Sequence, residues 1–570
     1  VAAVRAVRVI TEVGAVDRPF DYALTDETTH AVVGDRVRVN FNNRSVRGWI
    51  VDEVEPDRQL KPLTKWLGYG PPSSLLDLLS WASARWYGPL SRFLLASSPK
   101  RLVTVLPTRP AMNSLSASVM AVARLEEPGV IQLSPTTDPI GLILGAYAHS
   151  RAGEGSLLVL VPTEAWARRL RGRLEQRGCA VASGDDEWDR MRAGWPVVVG
   201  SRGAALAPVP KLAGAVIIDA DDEAYRSEAA PTWDALTMLR ERCRRDQAPL
   251  WATSMIPSPS LVVDQPYVNV DSSGGGWPRV RVVDRRDSDP RDGVLSRDAL
   301  EAAHLALMGD EPVAVVVVLQ RLGTGRLFAC RRCGELARCE QCGQGEEEVG
   351  DQLSCPERHE LRANFCRFCG ATNLRKVRVG VTTLARDVAA QLSREVTELT
   401  SASASDMPLA RVVVGTEAVW RRVRRCGVVI FADFDQYLLA PRESSRRSAV
   451  TAVGKAGRTV GPRSDPRGEV VLQTRRGDDA VIRSLERGNF DALIAEDVET
   501  AKVLDLPPYG ALATVTGEGA NAFVTSLTSP SISVHAVGQG FILRAKDVDA
   551  LTLALRGAHR PPGRLRVAVE

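Results

Sequence analysis

Seven of the ten cysteines fall between Cys330 and Cys369. Cys330/Cys333, Cys339/Cys342 and Cys366/Cys369 are C-x2-C pairs, and Cys355 with His359 makes a C-x3-H pair. A two-residue spacer lets one tight turn aim both sulfurs at one metal ion, and a structural zinc takes four Cys or His ligands. Eight ligand-type residues therefore predict two zinc ions per chain. Disulfides or scattered buried thiols are the alternative, and paired knuckles at this density argue against it. Only five residues separate Cys333 from Cys339, so closing the first two pairs on one ion would strain a short loop. An interleaved arrangement is easier: Cys330, Cys333, Cys366 and Cys369 hold one ion, while Cys339, Cys342, Cys355 and His359 hold a second. Metal binding then supplies the folding free energy that so small a segment could not gain from its own core.

The rest of the chain sets looser bounds. At 570 residues it exceeds one core and divides into several domains. Its 44% apolar and 25% charged residues are those of a soluble globular protein. A net charge of +4 does not by itself announce a nucleic-acid binder. Arginine clusters at Arg421-Arg422-Val423-Arg424-Arg425 and Arg475-Arg476 suit phosphate, but serve equally as solvated faces. With no apolar run of membrane-spanning length, no signal pattern, and thiols clustered as metal ligands, the expected location is the reducing cytoplasm.

Residues 1 to about 55 alternate apolar and polar, as in Val37-Arg38-Val39-Asn40-Phe41, with turns at Gly34-Asp35 and Asn42-Asn43. This period of two predicts a small antiparallel sheet or barrel. Residues 72 to 100 switch to helical spacing through Leu75, Leu76, Leu78, Leu79, Ala82 and Trp86. From about 130, short apolar strands alternate with helical segments: Ser156–Val161, Pro196–Gly200, Ala215–Asp219 and Leu250–Ser254. A second series comprises Val313–Leu319, Arg411–Gly415, Val428–Asp433 and Glu469–Thr474. Such runs indicate parallel sheets covered on both faces. The cysteine segment interrupts the second series. After Leu506-Pro507-Pro508-Tyr509-Gly510, strands near Ala513–Thr516, Phe541–Arg544 and Arg564–Val569 and a helix near 547–556 predict a small α+β domain.

This order of parts resembles PriA, the bacterial replication-restart (primosomal) helicase family of superfamily two. The resemblance rests on Arg18-Pro19-Phe20-Asp21-Tyr22, Gly34-Asp35-Arg36-Val37-Arg38-Val39 and Leu60-Lys61-Pro62 in the head. In the second lobe it rests on Gly415-Thr416-Glu417, Ala432–Arg442 and Val453-Gly454-Lys455-Ala456-Gly457-Arg458. The implied fold is a multidomain α/β chain. A β-rich DNA-binding head (1–106) leads through a linker (107–130), too short for the family's winged helix, to two RecA-like lobes. The first lobe covers 131–275; the second covers 276–326 and 377–505 around a double-zinc insert (327–376), and an α+β domain (506–570) closes the chain. The resemblance also implies that Phe20, Asp21, Gly34 and Lys61 pocket the 3′ end of a nascent strand. A ring can stack on the last base, a carboxylate can accept from the 3′-hydroxyl, and a lysine can meet phosphate. The plainer alternative for Phe20 and Asp21 is a barrel core residue beside a turn residue.

The ATPase motifs depart from the family. A phosphate loop needs backbone amides, a lysine on the phosphates and a hydroxyl on Mg²⁺. The stretch Leu133–Gly145 holds no Gly-Lys-Ser/Thr, and the only Gly-Lys pair of the chain, Gly454-Lys455, lies in the other lobe. Where the family has Asp-Glu-x-His, this chain has Asp219-Ala220-Asp221-Asp222; Ser254-Met255-Ile256 replaces Ser-Ala-Thr. Asp219 and Arg458 remain as remnants of a nucleotide site. Loss of the lysine and the catalytic carboxylate should remove several powers of ten in turnover. In the insert, His359 stands where the family has a cysteine, an acceptable exchange at zinc.

The expected protein binds forked or single-stranded DNA and scaffolds reloading of the replicative helicase without unwinding DNA. Single-strand-binding protein and primosome components are the partners implied by resemblance. An active ATP-dependent 3′-5′ helicase of the same family is one alternative. A zinc-bearing protein-interaction module without a DNA role is the other.

Overall fold

The computed structural model describes residues 5–13, 18–55, 60–124, 126–150, 155–263, 266–271, 273–286, 293–320, 328–341, 345–350, 352–355, 359–376, 381–404, 406–440, 444–538 and 540–570. The chain forms two compact units, one of residues 1–131, 138–268 and 498–570, the other of residues 132–137 and 269–497. Among the described residues no helix is long and apolar enough to cross a membrane.

In the first unit the head is a five-stranded antiparallel sheet. Its spatial order is Phe20–Ala23, Ala6–Thr11, Arg44–Val54, Arg36–Phe41, Lys65–Gly68. The alternation read from sequence places Val7, Val9, Val37, Val39 and Ile50 on one buried face, with Tyr22 and Leu63. The helical spacing over 72–100 becomes two helices, Ser73–Arg85 and Leu90–Ala96. Pro89 has no N–H to continue the first helix, and Tyr87 turns the chain at a φ of 48°. Gly88 fits only as glycine, because a Cβ there would sit 2.5 Å from Cβ of Pro231.

The sheet of the first lobe runs Tyr267–Asn269, Gly129–Gln132, Leu250–Ser254, Leu212–Ile217, Ser156–Leu160, Val197–Gly200, Val181–Ala182. The strands foreseen from apolar runs are four of the five inner ones, paired in parallel; the fifth, Gly129–Gln132, was not foreseen. Their side chains are buried on both faces by flanking helices, which is what a continuous apolar run provides. The head helices pack on this lobe. Trp188 Nε1 donates to the carbonyl of Ser97 at 2.9 Å, and Ser74 Oγ donates to that of Pro210 at 2.8 Å. The C-terminal domain is a four-stranded antiparallel sheet ordered Ser533–Val537, Gly540–Ala545, Ala511–Thr516, Arg566–Val569. It joins the same unit through Phe523, whose ring lies 5.5 Å from that of Tyr87.

The second unit is built on six parallel strands ordered Val280–Asp284, Glu469–Thr474, Val428–Phe431, Val315–Val318, Val412–Gly415, Val396–Leu399. Both edge strands escaped the apolar-run reading because they are only partly covered. The cysteine-rich insert leaves the sheet after Val315–Val318 and returns before Val412–Gly415, which lies beside it. Its entry strand Phe328–Cys330 pairs antiparallel with its exit strand Leu374–Lys376, so the insertion opens and closes at one place.

Helix Ala235–Asp246 carries a tie that no sequence pattern marks. Arg242, 4% exposed, donates to the carbonyls of Ala205, Ala207 and Val209 at 3.1, 2.9 and 3.0 Å. Burial pulls its pKa down to about 10, so it remains charged near neutrality. Replacing Arg242 by leucine strands those carbonyls without water. The expected cost is on the order of 3 kcal/mol, to be read as a lowered midpoint in urea unfolding, with Arg242→Lys recovering part of it.

Candidate functional site

The structure brings the cysteines together in the interleaved way. Sγ atoms of Cys330, Cys333, Cys366 and Cys369 lie within 4.8 Å of one another, as do the ligand atoms of Cys339, Cys355 and His359. Cys342, the expected fourth member of the second group, lies outside the described residues. The fit to a metal can be tested on the spacings. Zn–S bonds of about 2.3 Å make a tetrahedron with S···S edges of about 3.8 Å, whereas a disulfide would need about 2.05 Å. The pairs Cys330–Cys369 and Cys333–Cys366 stand at 3.5 Å. Nδ1 of His359 lies 3.9 Å from Cys339 Sγ and 3.7 Å from Cys355 Sγ, near the mixed S···N edge of about 3.6 Å. Both groups suit a tetrahedral thiophilic ion such as zinc.

Burial pushes the Cys330 thiol up, but backbone N–H groups of Cys333 and Arg332 outweigh it and bring the pKa down to about 7. Cys333 is pushed up to about 12, chiefly by burial, with the neighbouring thiols adding to it. A bound cation would be needed to hold all four as thiolates. Around them runs an ionic framework that spacing rules do not reveal. Glu346, fully buried, takes a forked contact from Arg362 at 2.7 and 3.0 Å. Arg367 pairs with Glu340 and Glu360, each at 2.5 Å.

In the head, Phe20 and Asp21 leave their strand on opposite faces. Phe20 packs on the sheet core and meets Phe41 edge-on at 4.9 Å, with the Arg18 guanidinium 5.1 Å from the Phe20 ring centre. Asp21 sits inside the strand, not at a turn, opposite Arg8, whose Nε donates to it at 3.0 Å. Gly34 is a packing glycine with φ of 102°, and a Cβ there would lie 2.1 Å from the carbonyl oxygen of Pro71. Lys61 is exposed, and its carbonyl accepts from Ala23 N at 2.9 Å, which ties its loop to the Phe20–Ala23 strand.

The stretch that should carry a phosphate loop has other engagements. Helix Ile140–Ser150 begins under Asp138, whose carboxylate accepts from Ile140 N and from Arg173, both at 3.1 Å. Burial alone would raise the Asp138 pKa, but Arg173 and the Ile140 amide hold it below the usual range. The preceding loop is buried in the second unit. Ser134 Oγ donates to Asp271 at 2.5 Å, Thr136 Oγ1 to the Gly276 carbonyl at 2.8 Å, and Arg458 Nε to the Pro135 carbonyl at 3.1 Å. At the end of strand Leu212–Ile217, Asp219 N donates to Thr253 Oγ1 at 3.1 Å. Asp221 accepts from Ser254 Oγ at 2.7 Å and Ser258 N at 3.1 Å, and Asp222 caps the turn at Ala224 N. Asp221 is thus directed at the neighbouring strand end.

Residues 8–99 match the family model for the 3'DNA-binding domain (3'BD) of PriA. Replication restart protein PriA of Treponema pallidum is 24% identical over 86% of this chain and 84% of its own length. The chain is similar to PriA proteins over most of its length. The family protein of Thermotoga maritima is 25% identical over 66% of this chain, and that of Synechocystis sp. 24% over 67%. These matches span about half of those relatives, 53% and 52%. Among solved structures, S. cerevisiae Dbp5 bound to RNA and ADP BeF3 aligns at a TM-score of 0.36 and 11% identity, over 67% of this chain and 91% of that one.

The family's second-lobe segment shows a carboxylate pair. Asp435 accepts from Thr474 Oγ1 at 2.5 Å and Arg475 N at 3.0 Å. Burial, then Asp435, pushes Asp433 up to about 6. The arginine clusters divide in use. Arg422 donates to the Ala404 carbonyl at 2.9 Å and Arg425 meets Glu311 at 2.6 Å, so both brace the lobe. In the first unit, a cavity of about 380 Å³ between helices Ser73–Arg85 and Val548–Gly557 is lined by Trp81, Arg85, Asp549 and Arg556. The Arg85 guanidinium lies 6.0 Å from the Trp81 ring centre.

Metal analysis of the purified chain should return two equivalents of zinc. Cys366→Ser should remove one of them and leave the other, since Cys366 belongs to the four-cysteine group alone.

Proposed function

We propose that this chain recognises forked or single-stranded DNA through its head and scaffolds reloading of the replicative helicase, with no ATP hydrolysis. The observation that carries the reading is Asp138 at the start of helix Ile140–Ser150. A phosphate loop presents a helix N-terminus and a lysine to the nucleotide. Here the N-terminus is already capped by a carboxylate. A unit charge about 4 Å away is worth roughly 4 kcal/mol at an effective dielectric of 20. Losing the lysine forfeits one such attraction, and Asp138 adds a repulsion that Arg173 offsets. Arg458, the arginine that the resemblance assigns to ATP, spends a donor on the Pro135 carbonyl. Ala220 leaves no carboxylate to orient water at its position, and Asp221 is engaged elsewhere.

The match of the head to a 3′ DNA-binding domain supports terminus recognition by Phe20, Asp21, Gly34 and Lys61. Gly34 would act through its backbone, and Asp21 would exchange part of its contact with Arg8 for the 3′-hydroxyl. The two cysteine groups support a rigid zinc platform for DNA or partner proteins. The cavity lined by Trp81, Arg85 and Arg556 suits an acidic segment of a partner, and single-strand-binding protein is the partner to try first.

An ATPase assay with fork DNA is expected to show no stimulated turnover. DNA-stimulated hydrolysis that Asp219→Ala abolishes would restore the active-helicase reading. Binding to a fork with a free 3′ end should be salt-dependent. Blocking the 3′-hydroxyl, or Asp21→Ala, should weaken it about tenfold, the scale of one lost charge-assisted hydrogen bond; if neither does, the head is no terminus reader.

A further inference from the structure

We propose that the two spacers of the four-cysteine group form a stacking platform for an unpaired base of single-stranded DNA, with Phe368 as the ring and Arg331 and Arg332 as phosphate contacts. This deepens the proposed function, on which it rests. Arg331-Arg332 bridges Cys330 to Cys333, and Arg367-Phe368 bridges Cys366 to Cys369. The sulfurs of Cys330 and Cys369, and of Cys333 and Cys366, stand at 3.5 Å, so both spacers border one four-sulfur group.

Phe368 is 78% exposed, at the tip of a turn where a polar residue would cost nothing. Phe365, immediately before Cys366, differs: it is 38% exposed and Arg362 covers its face at 5.6 Å. Arg367 is committed to Glu340 and Glu360. Arg331 and Arg332 are exposed, and among the described residues neither side chain meets a carboxylate. The spacer backbones are already held: Arg331 N donates to the Asn373 carbonyl at 3.0 Å, Arg332 N to Cys330 Sγ at 3.3 Å, and Gly370 N to the Cys366 carbonyl at 2.8 Å. A ring and two cations on a rigid turn bind without an ordering cost. Stacking of bases on aromatic rings is sequence-tolerant, because every base has a π-face. Four thiolates on a divalent ion leave two negative charges, which Arg331 and Arg332 offset. The ring therefore carries the contact, and the salt dependence should be shallow.

The test uses the full zinc-loaded chain and a labelled, 3′-phosphorylated oligo-dT, which offers the head no 3′-hydroxyl. Phe368→Ala should weaken binding roughly 5- to 100-fold, and Phe368→Tyr should retain it, with zinc content unchanged in both. Arg331→Ala with Arg332→Ala should flatten the salt slope by about 1 unit. Unchanged affinity in Phe368→Ala overturns the platform. So does tighter binding of a poly-glutamate peptide than of the oligonucleotide, which would assign the surface to an acidic protein segment. A wild-type chain that binds a free 3′ end but not the blocked strand overturns the platform alone; one that binds neither sinks the proposed function as well.

Discussion

An insertion inside a parallel sheet has to begin and end at the same place, and in this chain the paired entry and exit strands of the cysteine-rich insert meet that constraint. Cys330 and Cys333 follow the entry strand, and Cys366 and Cys369 precede the exit strand. Joining them on one ion would close the loop between, a step whose entropic cost grows only slowly with length. The neighbouring strands Val315–Val318 and Val412–Gly415 therefore keep their parallel register although nearly a hundred residues separate them. The fully buried Glu346 with Arg362 completes the insert from within, doing the work of a core too small to bury many apolar groups.

The same economy governs the places where an ATPase would keep its chemistry. Asp138 caps a helix, Asp221 ties a strand end, and Arg458 holds a backbone carbonyl. Each charged group has a structural partner within hydrogen-bond distance, and each would have to give it up to serve a nucleotide. Buried or half-buried charges rarely stand alone, because desolvation penalises them. Asp138, Asp221 and Arg458 are accordingly bonded to the protein itself.

Legibility followed burial. Four inner strands of each lobe are apolar on two faces, so they stood out as continuous runs; Gly129–Gln132, short and opened by a glycine, and Val280–Asp284 and Val396–Leu399, half-covered at the sheet edge, did not. The head strands were readable by alternation, but the break at Tyr87–Pro89 inside one run of helical spacing depended on contact with Pro231. The metal-type residues were legible because ligand spacing is local. Arg242 and Glu346 were not, because their partners are distant carbonyls and a guanidinium sixteen residues away.

The sequence by itself determined the cysteine pairs, the two parallel-sheet lobes, the resemblance to PriA and the absence of a Gly-Lys-Ser/Thr motif, all of which are local spacings or runs. Only the tertiary structure decided which partners the charged groups take, that Phe20 and Asp21 face opposite sides of a strand, and that Phe368 stands in solvent. Those outcomes depend on which distant groups meet, and a side chain's desolvation and partners exist only once the chain has closed around it.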